Sequence, residues 1–430
     1  MADRHDVLEV LKHSNVFLTG GAGTGKSYIT NEVIADYRKR GKQVVALGST
    51  GVSAVNIGGF TVHSFFVFGI ASDFEALAQQ DKRAKKRLSD LKKVLKATDL
   101  IIIDEISMVS ADLLDMIAYR LNAYGYLGKV LFVGDFFQLP PVVQSRQNGG
   151  DIFGEKLYAF ESLAWERFDL TVIELTQMKR THDAEFTHIL SKVRMGICDE
   201  EVSAYMHRLW NNEALDPDPT YLFGRNVEVE RTNRARLNEL DTEETILFAN
   251  LEKFGNVHEK KLEGWKKLLP ISEQLTLKVG VPVLFTVNKW GKFVNGERGV
   301  LHAIEEDHLI VEKEHEFVRV ERHDFDLLDM VVHEDGHVEQ VSLVTLSQFP
   351  LKLAYAVTIH KSQGMSIDNL VCNVDNIFAP SQFYVAISRA IDPKRLKIDF
   401  GRGNLAHYLQ RVIHVDQRVV DYYRKLQKEL

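Results

Sequence analysis

The chain runs to 430 residues, long enough for two or three domains with large cores. Its 45% hydrophobic and 26% charged residues describe an ordinary soluble globular protein; a formal net charge of −7 excludes a surface coated in positive charge but not a local basic channel. Two cysteines, Cys198 and Cys372, exclude a disulfide framework and a cysteine-built zinc site, and no apolar run reaches membrane-spanning or signal-segment character.

In chain order, Val16 to Leu18 reads as a short buried strand. Gly20, Gly21, Ala22, Gly23, Thr24, Gly25, Lys26 and Ser27 then fit G-x-x-x-x-G-K-[ST], and helical spacing runs from Tyr28 to Gly41. Strand, glycine loop and helix together make a polyphosphate cradle: backbone N–H groups close around the phosphates and the helix start adds its positive dipole end. In that cradle Lys26 neutralises the β- and γ-phosphates and the Ser27 hydroxyl sits on Mg²⁺.

A second strand, Val44 to Leu47, leads into STGVSAVNIGG and the aromatic cluster FTVHSFFVF. Residues 72 to 97 read as one helix, with eight Lys or Arg among the fifteen residues from Lys82 to Lys96. A third strand, Leu100 to Ile103, runs into Asp104 and Glu105; after a helix from Ala111 to Ala123, a fourth (Val130 to Val133) delivers GDFFQLPPV. Polar residues at the C-terminal ends of such strands are where open parallel sheets place ligands. An apolar strand from Phe168 to Leu175 opens a second α/β unit containing TYLFGRN, LAYAVTIH and NLVCNV. Between Val279 and Phe349, short alternating runs separated by Gly, Asn, Asp and His predict an inserted antiparallel barrel. The expected organisation is α/β: residues 1–170 with an insert at 69–97, and 171–430 with an insert at 279–349.

Nucleotide hydrolysis needs more than a cradle. Asp104 is the natural anchor for Mg²⁺ beside Ser27, and Glu105 can orient and polarise the attacking water. Gln138 can bond the γ-phosphate and report its presence; the alternative is a solvent-exposed loop amide. Developing charge also calls for cations, often arginines from a facing domain, and Arg180 and Arg389 are the candidates. Arg389 sits in QFYVAISRA, which reads as an amphipathic helix whose last turn could equally hold a surface residue.

These segments resemble, in order, the motifs of superfamily 1 helicases: GGAGTGKS, STGVSAVNIGGFTVHSFF, IIIDEISM, GDFFQLPPV, VTIHKSQGMSID and QFYVAISRA. EISMVSADLLDMI and GDFFQLPPV are similar to the Pif family in particular, related to the RecD-type branch, and the resemblance extends from Asn15 to Ala390. It implies two RecA-like P-loop NTPase domains that clamp ATP and carry single-stranded DNA, translocating 5′ to 3′ and unwinding duplex. By family pattern Lys26, Ser27, Asp104, Glu105, Gln138, Arg180 and Arg389 match nucleotide-site positions, and Gly364 belongs with them. Thr50, Gly51, His63, Phe65, His360, Lys361, Ser362 and Gln363 match strand-binding and coupling positions. The basic stretch stands where the family has a small wedge-bearing insert, and the antiparallel insert where it has an SH3-like barrel. ATP and Mg²⁺ are the implied cofactors and single-stranded and forked DNA the implied partners, with no membrane, a monomeric working unit and a cytoplasmic, nucleoid-associated setting in a bacterium.

The residues agree with that placement: aromatic and imidazole rings offer stacking faces without sequence preference, and hydroxyls and backbone groups hold phosphates. For Phe65 and Phe66 the competing explanation is core packing; for the basic run it is a solvated helix face. The chain departs from the pattern in three places. GSTG stands for Ala-Pro-Thr-Gly, which keeps Thr50; Thr181 follows Arg180 in place of Gln; and the first Gln in the sequence is Gln43, so the family's adenine-reading Gln is missing or belongs to a segment absent from this chain. Other readings are a single-strand-stimulated ATPase that unwinds poorly, a DNA-binding module with a dead nucleotide site, and a metabolite kinase.

Overall fold

The structure, a computed structural model, describes residues 4–69, 71, 73–141, 156–289, 291–333, 338–377 and 379–429; Val142 of GDFFQLPPV and a few positions of both inserts lie outside them. The chain forms two compact units, the first comprising residues up to Gln177 with 328–342 and 421–430, the second Met178–Leu327 with Leu343–Val420.

The first unit is built on six strands, β1 (Asn15–Gly20), β2 (Val44–Gly48), β3 (Phe60–Thr61), β4 (Leu100–Asp104), β5 (Lys129–Val133) and β6 (Leu170–Leu175), in the order β3-β2-β4-β5-β1-β6. All adjacent pairs are parallel. The apolar runs VFL, VVAL, LIII and VLFV are buried throughout, as a parallel sheet covered on both faces requires. One face packs Val16, Leu18, Ala46, Ile102, Leu131 and Val133 against Ile29 and Val33 of the helix Lys26–Lys39.

Three expectations change here. β6 pairs with β1 along its whole length, Asn15↔Leu170 to Gly20↔Leu175, so it completes the first sheet and does not open the second; the boundary falls after Gln177, not at 170. Residues 328–342 and 421–430, assigned by sequence to the second domain, also belong to the first unit. The single helix expected over 72–97 is two, Phe74–Arg83 and Lys85–Ala97, separated at Ala84 (φ −110°, ψ 21°). Asp73 starts the first by accepting from Ala76 N at 2.9 Å. Arg120, on the helix Ala111–Ala123, holds it down: it is 1% exposed, donates to Asp81 at 2.8 and 2.5 Å and to Phe66 O at 3.3 Å.

The second unit holds β7 (Thr220–Phe223), then β8 (Glu244–Phe248), β9 (Asn250–Lys253), β10 (Gln274–Lys278), β11 (Pro282–Phe285), β12 (Arg298–Ile304), β13 (Leu309–Lys313), β14 (Glu316–Val320), β15 (His323–Val332), β16 (Val338–Gln348) and β17 (Leu351–Leu353), and finally β18 (Ala356–Thr358), β19 (Leu370–Asn373) and β20 (Leu396–Asp399). β18-β7-β19-β20 is a parallel sheet, the second RecA-like core. β14-β13-β12-β11-β17 is antiparallel and closes over Val283, Phe285, Leu301, Val311 and Leu351. Among the described residues this order does not close into a ring, so the expected barrel stands as a five-stranded antiparallel sheet. The β-rich stretch also begins at Glu244 rather than 279, because β8 pairs with β10 and β9 with β16. Among the described residues no helix is long and apolar enough to cross a membrane.

Candidate nucleotide and strand-binding sites

β1 ends at Gly20, whose φ of 145° and position force a glycine: a Cβ there would lie 2.4 Å from Leu175 O. Gly25 (φ 95°) caps the helix Lys26–Lys39, and having no side chain it leaves the first-turn amides facing the loop. Thr24 Oγ1 donates to Gly21 O at 2.9 Å, pinning the loop from inside. Lys26 Nζ donates to Gly20 O at 2.8 Å and Gly21 O at 3.0 Å, so the ammonium arches over the mouth of the cradle. Ser27 is exposed on the first turn.

Because β5 lies between β4 and β1, the residues that follow these strands converge at one edge of the sheet. Asp104 ends β4, and its carboxyl is held well above the usual carboxylate range, first by burial and next by the charge of Glu105; Lys26 pulls the other way. A carboxylate so crowded is relieved by a nearby cation. Glu105 occupies the left-handed region (φ 54°, ψ 49°), a strained place for a side chain with a Cβ, of the kind that marks functional turns. Gln138 follows β5 and is 5% exposed, which removes the alternative of a solvated amide. Its Nε2 lies 3.5 Å from Asp135 Oδ2, and Asp135, fully buried, also accepts from Phe137 N at 3.2 Å.

In the second unit the structure brings Arg180 and Arg389 together. Arg389 is 2% exposed; its Nε donates to Val385 O at 2.9 Å, Nη2 to Ser388 Oγ at 3.0 Å and Nη1 to Ser362 O at 3.4 Å. Arg180 donates to Ser366 Oγ at 2.8 Å and Ser388 O at 2.6 Å. Burial and then the charge of Arg389 push Arg180 down to about 9, which leaves it a cation at neutral pH. A half-buried and a fully buried guanidinium side by side form a strongly cationic site that an anion stabilises. The helix Gln382–Ile387 is buried on every side, so Arg389 is a core residue and not the surface arginine that an amphipathic reading allowed. Gly364 (φ 76°) is exposed at the end of the HKSQG turn, away from any close neighbour.

Of the strand-binding candidates, Thr50 caps the helix Gly51–Asn56: its Oγ1 accepts from Ser53 N at 3.1 Å while its N–H donates to Ser53 Oγ at 3.0 Å, and Gly51 lies buried behind it. His63 is half-buried, its ring 6.2 Å from Phe68, and burial lowers its pKa; His360 is lowered for the same reason. Lys361 is exposed, and Gln363 is half-buried with its Nε2 turned inward and without a hydrogen-bond partner among the described residues. Two candidates are corrected. Phe65 is 6% exposed, with its ring against Phe60 and Phe66 (5.9 and 5.0 Å), so it is core and offers no stacking face. Ser362 is fully buried and its hydroxyl donates to Ile359 O at 2.7 Å, so it shapes the turn rather than meeting a strand.

Sequence reasoning missed Asp135, although it lies within a motif it read, and missed Ser366 and Ser388, which no local signal marks. It also missed Tyr422 and Tyr423 of the C-terminal helix Gln417–Glu429, which pack beneath the GDFFQ loop in the first unit.

Two RecA-like parallel sheets, a phosphate loop after β1, an acidic pair at the end of β4 two strands away and an arginine pair in the second unit define a P-loop motor ATPase of the helicase type. The family described as PIF1-like helicase matches residues 5–204, and one described as Helicase matches residues 286–414. The chain is 41% identical over 435 residues to the ATP-dependent DNA helicase Pif1 of Campylobacter jejuni, covering 98% of this chain and 97% of that relative. Among solved structures, Bacteroides sp. Pif1 in complex with ADP-AlF4 superposes with a TM-score of 0.83 at 26% identity, over 100% of this chain and 97% of that one. Bacteroides Pif1 bound to ssDNA gives 0.63 at 26% identity, over 99% of this chain and 96% of that one. This chain belongs to the Pif1 family of helicases.

Proposed function

We infer that the chain is an ATP-dependent DNA helicase that moves 5′ to 3′ along single-stranded DNA as a monomer and separates duplex ahead of it. The observation that carries the reading is the convergence of the phosphate loop, Asp104–Glu105 and Gln138 at one sheet edge. Similarity to an ATP-dependent DNA helicase, and to Pif1 proteins solved with ADP-AlF4 and with ssDNA, supports it.

In this reading the amides of Gly21 to Ser27 and the Lys26 ammonium hold the polyphosphate. Ser27 and Asp104 hold Mg²⁺, which supplies charge neutralisation at the phosphates. Glu105 orients and polarises the attacking water and accepts its proton, and Gln138 reads the γ-phosphate while Asp135 holds its amide. Arg180 and Arg389 stabilise the charge that spreads onto the transferred phosphoryl oxygens. Gly364 belongs to the same nucleotide-responsive turn. Thr50, Gly51, His63, His360, Lys361 and Gln363 hold the strand, with Phe65 and Ser362 supporting them from beneath. The test is ATP turnover with and without single-stranded DNA, run beside strand displacement on 5′-tailed and 3′-tailed duplexes. Stimulated turnover with displacement of the 5′-tailed substrate alone is expected. Displacement of the 3′-tailed substrate refutes the polarity, and stimulated turnover without displacement leaves a translocase.

A further inference from the structure

The last helix does more than close the chain. Tyr423 is 7% exposed, and its hydroxyl sits between two elements of the nucleotide site. It lies 2.8 Å from Thr19 Oγ1, the residue immediately before Gly20, and accepts from Phe136 N at 3.3 Å in the loop that carries Asp135 and Gln138. Its ring stacks on Phe137 with centroids 4.6 Å apart and planes at 23°. One residue earlier, Tyr422 stacks on Phe160 at 4.3 Å and meets the edge of Phe136 at 5.7 Å. Thr19 is itself 1% exposed, so the bridge is dry.

We propose that Tyr423 is a positioning residue for ATP hydrolysis, fixing the GDFFQ loop, and with it Gln138, against the root of the phosphate loop. The proposal rests on the reading of Gln138 as the group that contacts the γ-phosphate. The sheet holds the strand ends themselves, with Gly134 N donating to Leu18 O at 3.1 Å, but beyond Gly134 the loop leaves the ladder, and the Tyr423 hydroxyl ties it back to β1. Thr19 and Phe136 belong to different strand ends, and a loop that must present one amide to one phosphate oxygen needs a support rigid to a fraction of an ångström. A phenol does this well: its ring is fixed by stacking, and its hydroxyl both donates and accepts. Without the hydroxyl, the Thr19 hydroxyl and the Phe136 N–H are deprived of a buried partner and the loop gains freedom where Gln138 needs none.

The test compares Tyr423→Phe, which keeps the stack, with Thr19→Val, which removes the same bridge from its other end. Each is measured alone and combined with Gln138→Ala. Expected in both single variants is a DNA-stimulated kcat lowered by about three- to tenfold, the size of one or two weakened hydrogen bonds. KM for ATP and the affinity for ADP stay within about twofold, because ADP does not reach Gln138. In the Gln138→Ala background either change lowers kcat by less than about twofold, since the group it positions is gone. Full turnover in both single variants, equal weakening of ADP and ATP binding, or additivity with Gln138→Ala would each overturn the proposal. Gln138→Ala with full turnover would overturn the site reading itself. An impaired Gln138→Ala beside a fully active Tyr423→Phe would overturn only the positioning role.

Discussion

Asp81→Ala is the most informative single perturbation of the first unit's framework. Arg120 is 1% exposed, and Asp81 accepts two of its bonds while remaining 27% exposed. Removing the carboxylate leaves a buried guanidinium with Phe66 O and the rings of Phe68 and Tyr124, 5.7 and 5.8 Å away. Breaking a fully buried pair costs about 3–5 kcal/mol; with water able to reach the Asp81 side, about 2–3 kcal/mol is the fitting figure. For a unit of this size each kcal/mol moves Tm by about 2–4 °C, giving a fall of roughly 4–12 °C. Thermal unfolding of the intact chain measures it, the transition of the first unit being the one that ADP raises. Adding Arg120→Met should restore at least half of that stability, because the cost comes from the stranded charge and not from the missing carboxylate. A shift of less than a degree, or a double variant no more stable than Asp81→Ala, would refute this account.

At the nucleotide site, Lys26→Ala should abolish turnover, while Glu105→Gln should keep ATP binding and stop hydrolysis; near wild-type turnover in Glu105→Gln would remove that residue from the chemistry. Arg389→Met should lower kcat by on the order of a thousandfold with little change in ATP affinity. An unchanged kcat would demote Arg389 to packing. Replacing Lys85, Lys86, Lys92 and Lys93 with Gln should reduce the slope of log K for single-stranded DNA against log salt by roughly 0.7 for each phosphate that is no longer neutralised. ATP turnover at saturating DNA should survive, and an unchanged slope would make this helix face merely solvated.

What was legible in the sequence was what local chemistry dictates. The phosphate loop is readable because its glycines answer constraints within eight residues, and the strands before it because continuous apolar runs have few other uses. What was not legible depends on distant partners. LTVIEL has the same composition whether it pairs with β1 or begins another sheet, and only its register with Asn15–Gly20 decides. Gln382 made QFYVAI look two-faced, yet it is fully buried, its Oε1 accepting from Ala379 N at 3.2 Å. The break at Ala84 follows tertiary anchoring of the preceding helix through Asp81, against the helix propensity of alanine. The Tyr423 bridge spans 404 residues, beyond the reach of any periodicity.

The histidines sharpen the division of labour on the strand. Burial lowers the pKa of both His63 and His360, which favours the uncharged ring at neutral pH in the free protein. They can stack or hydrogen-bond, contributions that salt leaves nearly untouched. In the proposed reading, the counterion-releasing part of DNA affinity would come from exposed cations such as Lys361 and the lysines of the helix Lys85–Ala97. In a chain of net charge −7 such cations are local exceptions to a repulsive field. In that reading, strand binding would combine a salt-sensitive grip from lysines with a salt-tolerant one from neutral rings and backbone.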